Sequence, residues 1–177
     1  MKNILFGLGL LLGPTLASAQ TRPPLPAASS ATTARYLAPA EQLTLRSALE
    51  MADRVRAKAA ILDKQVSVAV VDASGQLVLL TRGDGVGPHN TEAARRKAYT
   101  ALSTKTATLL LGRNARANPD TQNLNTLPEL LLLGGGVPLW HNGQVVGGVG
   151  VSGGGGPETD DLLGRAAALP EVGITIP

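Results

Sequence analysis

The chain has no cysteine, only two histidines, and 2 % aromatic residues (one Trp, two Tyr and one Phe). Without thiols there can be no disulfides, thiolate metal sites, cysteine nucleophile or C-x-x-C-H attachment of a haem. If exported, such a chain must hold its core without staples. The scarcity of aromatics removes the stacking platforms that a single-stranded nucleic-acid reader needs. A net charge of +3 is too small to argue for an anionic polymer as partner. What is present is 44 % hydrophobic residues against 16 % charged in 177 positions. That is enough for one domain, with a core of Ala, Val and Leu.

The ends of the chain read differently from its middle. Lys2, the apolar run Ile4–Leu12 and the small residues Ala17-Ser18-Ala19 have the order of a secretory signal. The run is too short for a membrane anchor. The expectation is a signal peptide over 1–19, no membrane span after its removal, and a periplasmic or secreted location. Residues 20–42 form a Pro/Ala-rich linker without periodicity. The domain proper spans 43–170, and 171–177 are a C-terminal tail.

Within the domain, Leu45, Ala48, Leu49, Ala52, Val55 and Ala59 follow helical spacing, with Thr44 as N-cap. Val66–Val71 is β-branched and continuously apolar, as in a strand covered on both faces. Asp72–Gly75 is a turn, and Gln76–Thr81 returns as a second strand. A polar glycine loop, Arg82–Asn90, leads to a helix over Thr91–Leu102. Its small residues Ala94, Ala98 and Ala101 face the sheet, with Arg95, Arg96 and Lys97 largely opposite. A short helix is expected at Ser103–Leu111, an irregular segment at Gly112–Pro128, a third strand at Leu130–Leu133, and a last helix at Pro157–Leu169.

The most informative stretch is Gly134–Asp160, which holds eleven of the twenty-one glycines. Val137–His141 and Gln144–Val151 flank Asn142-Gly143, the strongest two-residue hairpin signal. In the returning strand, Val145, Gly147, Val149 and Val151 are expected on one face and Val146, Gly148 and Gly150 on the other. The glycine face lets another backbone or a flat ligand approach closely. Strands joined by tight turns imply an antiparallel sheet, and buried strands require helices on both faces. The fold class is α/β (α+β), a three-layer sandwich.

The runs VAVVDASGQLVLLTRGDGVGPHNTEAARRKAYTA and GGGVPLWHNGQVVGGVGVSGGGGPETDDLL carry a V-V-D-x-x-G turn, R-x-D-G, K-A-x-T-A, G-G-x-P and G-x-G-V-S-G followed by an Asp. In this order they resemble the haem-binding GlcG/HbpS-like family over about Leu43–Leu169. The resemblance implies a five-stranded antiparallel sheet flanked by helices, assembly into homo-oligomers, and haem or another tetrapyrrole as small-molecule ligand. Similar domains form the C-terminal part of PduO-type cobalamin adenosyltransferases. The sequence departs from the family at Pro157–Asp160, in the long Gly153–Gly156 run, and over 112–128.

Several single motifs carry less than they suggest. Gly148–Gly153 matches G-x-G-x-x-G, yet its first two glycines lie within a strand and no βαβ unit follows, so it is no dinucleotide site. Ser152 with Asp160 invites a hydrolase reading, but G-x-S-x-G is not met, and a hydrogen bond to the turn suits Ser152 better. Asp72 reads as a turn residue, and Asp84 is a further polar position within the matched motifs.

Imidazole is a common ligand of haem iron. His89, in the basic glycine loop, is the candidate iron ligand, with Arg82 and Lys97 as cations for the propionates. His141, beside the only tryptophan, is a second candidate against a plain cross-strand surface pair. Lys97 could reach a pocket or lie along the sheet surface. The expected function is an exported, non-covalent haem-binding protein, a carrier or sensor. Its alternatives are an oligomeric scaffold without cofactor, or a binder or enzyme for a corrinoid or small acid.

Overall fold

The structure, a computed structural model, describes Tyr36 and residues Ala40–Pro177. The expected signal peptide, and all of the expected linker but Tyr36 and residues 40–42, lie outside the described residues. Among the described residues, the helices and strands lie in the unit Pro39–Pro177. Helix α1 spans Leu45–Ile61, strand β1 Ser67–Asp72, β2 Leu77–Arg82, α2 Pro88–Thr104, α3 Thr108–Ala117, β3 Gly136–His141, β4 Gln144–Ser152 and α4 Pro157–Arg165. Short 3-10 turns occur at Gln122–Thr126 and Pro170–Val172.

The sheet is antiparallel in the order β2-β1-β4-β3. It therefore has four strands among the described residues, where five were expected. The missing strand is the one read at Leu130–Leu133. That run is apolar, but helix side chains take its backbone groups. Leu131 N–H donates to Thr100 Oγ1 (2.8 Å), the Leu130 carbonyl accepts from Arg96 (2.6 Å), and the Leu133 carbonyl accepts from Thr108 Oγ1 (2.7 Å). With these groups satisfied, nothing requires a ladder partner. The tail instead folds back on the sheet edge, where Thr175 and Trp140 exchange backbone hydrogen bonds of 2.8 and 2.9 Å.

Helices cover both faces. On one face Val68, Val70, Val137, Leu139, Val149 and Val151 pack with Ala48, Met51, Val55 and Leu163 of α1 and α4. On the other, Ala69 and Val71 pack with Ala94 and Ala98 of α2. There a Cβ on Gly148 or Gly150 would run into the Ala98 or Ala94 carbonyl oxygen, so these glycines let the helix backbone lie directly on the strand.

Local chemistry sets the element bounds. Thr44 Oγ1 accepts from Ser47 N (3.1 Å) and starts α1. Its buried stripe is Ala48, Met51, Ala52, Val55 and Ala59, while Leu45 and Leu49, expected on that face, are largely exposed. Helix α2 begins three residues earlier than the sequence suggests, because Pro88 occupies the first turn with its φ already helical. It ends at Lys105, in the left-handed conformation with φ 53°. Helix α3 then extends to Ala117, through the first residues of the segment read as irregular. Asp72 Oδ1 accepts from Ser74 N and Gln76 N (2.8 and 2.9 Å), as a turn residue should. Asn142 and Gly143 take φ of 49° and 75°, the conformation the hairpin turn requires.

One expected alternation fails. Leu139 pairs with Gly147, but Trp140 pairs with Val145, leaving Val146 as the extra residue of a β-bulge. Val146 therefore joins the α1-side core, with Val149 and Val151, instead of the glycine face.

Candidate functional site

The sheet has two chemically distinct ends. Ser67 lies opposite both Arg82 and Ser152 at one end, and Asp72 pairs with Gly147 at the other. The first end gathers the loop after β2, the start of α2, and the glycine turn after β4. The second gathers the β3–β4 hairpin, the start of α1, and the C-terminal tail.

At the first end the central group is Lys97. Its side chain is fully buried, contrary to the expected placement opposite the small-residue face. Lys97 follows Ala94 by three positions and precedes Ala101 by four, so helix geometry puts it on that same face. Its ammonium donates to Asp160 Oδ2 (2.7 Å), the Val151 carbonyl (2.9 Å) and Ser152 Oγ (3.4 Å). Asp160 Oδ1 accepts from Gly154 N (2.7 Å), so the pair also fixes the glycine turn. Ser152 Oγ donates to Asn90 Oδ1 (2.9 Å), tying that turn to the first turn of α2. Burial pushes the Lys97 ammonium below its ordinary 10.5, opposed by the Asp160 charge and hydrogen bond. This cluster is closed and satisfied. It joins α2, β4 and α4, and Ser152 faces an amide, an ammonium and no imidazole.

His89 lies in the first turn of α2, exposed, with its ring folded back over Gly87. Arg82 ends β2 and lines a 420 Å³ cavity with Asp84. The structure thus brings Arg82, His89 and Lys97 to one end of the sheet, but only Lys97 is buried.

His141 stands at the other end. It closes β3, half-buried, and forms part of the wall of a 610 Å³ cavity. Leu43, Val146, Leu169 and Ile174 supply apolar wall, and Arg46 supplies a cation with no ion-pair partner among the described residues. His141 Nε2 is 3.5 Å from Glu41 Oε2, and its Nδ1 is buried without a partner. The volume and mixture suit a small-molecule site, an apolar concavity with few polar groups. The bulge at Val146 is what aims that side chain into it. Sequence reading did not assemble this cavity, because its walls come from three segments around 43, 145 and 170.

Among the described residues no group of three His, Cys, Asp or Glu could hold a metal ion. None of their helices is long and apolar enough to cross a membrane.

A family model described as "Haem degrading protein HbpS-like" matches residues 43–168. The crystal structure of HbpS superposes with a TM-score of 0.70 at 36 % identity, covering 75 % of this chain and 92 % of that one. A structure of a PduOC–haem complex superposes with a TM-score of 0.66 at 27 % identity, covering 76 % and 97 %. An uncharacterized 15.0 kDa protein from the dhaT–dhaS intergenic region of Citrobacter freundii is 34 % identical over 127 residues, 71 % of this chain and 89 % of the relative. The corrinoid adenosyltransferase PduO of Salmonella typhimurium is 32 % identical over 134 residues, and the chain spans only 38 % of that relative's length.

Proposed function

The chain belongs to the HbpS-like family, and from that premise we propose that it is an exported protein that binds haem non-covalently, as a carrier or sensor. The observation that carries the reading is the 610 Å³ cavity at His141 in a fold shared with a haem-complexed relative. The residues present suit the group. Leu43, Val146, Leu169 and Ile174 offer an apolar wall, Arg46 a cation for a propionate, and His141 an imidazole whose Nε2, the nitrogen that is not buried, would meet the iron. Glu41, beside Nε2, is the group that competes with iron for that nitrogen. Bound haem would supply a redox-active iron. His89 is the other candidate ligand, with Arg82 for a propionate, and it lies at the opposite end of the sheet.

The test is a hemin titration of the protein from Gln20 onward, with His141→Ala and His89→Ala alongside. The expected outcome is a saturable Soret shift weakened at least about tenfold by His141→Ala and little by His89→Ala, the loss of a coordinate bond exceeding about 1.4 kcal/mol. The reverse pattern would move the site to the α2 loop. No saturable shift would remove the haem reading.

A second reading, a cofactor-free oligomeric scaffold, has its own support. Strand β2 is an edge strand with Leu77 and Leu80 exposed, the kind of edge that pairs with another chain unless protected. We propose homo-oligomerisation through this edge on either reading. Light scattering of Leu80→Lys against the parent protein checks it, with a smaller assembly expected.

A further inference from the structure

The 420 Å³ cavity between the C-terminal end of α1 and the end of β2 has no part in the haem reading built on His141. Arg56, Lys64 and Arg82 line it, with Asp84 as its one acid. We propose that it binds a small dianionic oxyanion, a phosphate monoester or a dicarboxylate.

What supports this is the gathering of unpaired cations on one concave wall, since other cations of the domain, Arg46, Lys105 and Arg116 among them, also lack an ion pair among the described residues. Arg54, Arg95, Arg113, Arg165 and Lys97 each hold a carboxylate partner. Arg56, Lys64 and Arg82 form no ion pair and no side-chain hydrogen bond among the described residues, and neither does Asp84 on the same wall. Three cations against one acid leave an excess of two positive charges, the complement of a dianion. Two guanidinium groups can each grip an oxyanion with two parallel N–H donors. A concave site also focuses their field more than a convex surface would.

The ordinary role for such cations, neutralising a helix C-terminus, is already filled. Lys58 occupies the last turn of α1. The Ala59 and Ala60 carbonyls accept from the N–H groups of Leu62, Asp63 and Lys64 at 2.9–3.0 Å. The floor is also fixed. Ala59 and Val66 are buried, and Gly83 N donates to the Val66 carbonyl at 3.0 Å. A Cβ on Gly83 would lie 3.0 Å from the Val66 carbonyl oxygen and 3.1 Å from its nitrogen, so glycine lets the chain leaving β2 lie close against the start of β1.

The experiment is calorimetric titration of the full mature chain with inorganic phosphate and, separately, with succinate, at one ionic strength held by sodium chloride. Saturable binding of at least one is expected, weakened about tenfold or more by Arg82→Gln and by Arg56→Gln. Arg116→Gln, which alters an unpaired arginine of α3 outside the cavity, should leave affinity unchanged. Amide NMR shifts should concentrate at Gln65, Gly83 and Asp84, and would locate the site even if one variant folded poorly. Stronger phosphate binding identifies a phosphate ester as the ligand class, and stronger succinate binding a dicarboxylate. Absence of saturation by about 10 mM for both, or equal weakening by Arg116→Gln, overturns the proposal. Hemin affinity should be unaltered in Arg56→Gln, so failure of this site and failure of the His141 cavity are separately visible.

Discussion

At the Ser67–Ser152 end of the sheet, a buried ammonium meets a carboxylate, a carbonyl and a hydroxyl, and each of its three protons has a direction to go. At the Asp72–Gly147 end, Trp140 Nε1 and His141 Nδ1 are buried with no partner, and a 610 Å³ space opens beside the histidine. The contrast separates what holds the fold from what is available to a ligand. Buried polar groups that are fully paired rigidify a structure, whereas unpaired ones are costly. Arg96 Nε and Asp161 Oδ1 are unpaired too, so it is the cavity beside His141 that singles out its end. Arg82 and His89 in one glycine-rich loop, with Lys97 on the helix after it, looked like a site from the sequence. The folded chain uses Lys97 as a structural tie and opens a 610 Å³ cavity at the other histidine.

The comparison can be broken most severely at its rigid end. Gly150→Val would drive a side chain into the Ala94 carbonyl, and the expected outcome is no cooperative unfolding transition by circular dichroism. Asp160→Ala should follow, leaving the Lys97 charge buried and uncompensated at a cost of about 3–5 kcal/mol in denaturant unfolding. The double replacement Lys97→Met with Asp160→Leu should recover much of that loss, since removing both charges removes the desolvation problem. At the open end, His141→Ala should change stability by no more than about 1 kcal/mol while carrying the hemin effect. That asymmetry, stability at one end and binding at the other, is the sharpest form of the contrast.

The pH dependence gives a smaller effect. Burial holds Lys97 below its ordinary 10.5, so between its folded-state value and 10.5 the unfolded chain binds the proton that the folded chain has released. Stability contributed through this group therefore rises with pH across that window. Lys97→Met should remove this rise from the slope of unfolding free energy against pH. Smallest of all is Arg95→Gln. Its pair with Glu92 is exposed on α2, and the expected change is within about 0.5 kcal/mol.

What could be read in advance was whatever local chemistry decides. The Thr44 cap, the Asp72 turn and the Asn142-Gly143 hairpin each depend on a few adjacent residues, and each stands where the sequence put it. The Leu130–Leu133 run misled because a short apolar stretch does not reveal who satisfies its backbone, and here the answer is Thr100, Thr108 and Arg96. Lys97 was placed by its charge and not by its spacing from Ala94 and Ala101, although the spacing was visible. The His141 cavity was not legible at all, because its walls converge only after the tail folds back and Val146 is turned by a bulge that no dipeptide announces.

The bare glycine strip under α2 also bears on how this sequence can change over time. At Gly148 and Gly150 an added methyl would strike main-chain carbonyls of Ala98 and Ala94, not side chains. A clash with a side chain can be relieved by a second substitution that shrinks the neighbour, but every residue has a carbonyl. At these two positions, replacing the side chain of Ala98 or Ala94 consequently gives no relief. The layer they hold together can be redecorated at its rims, yet it admits no gradual route to a wider spacing.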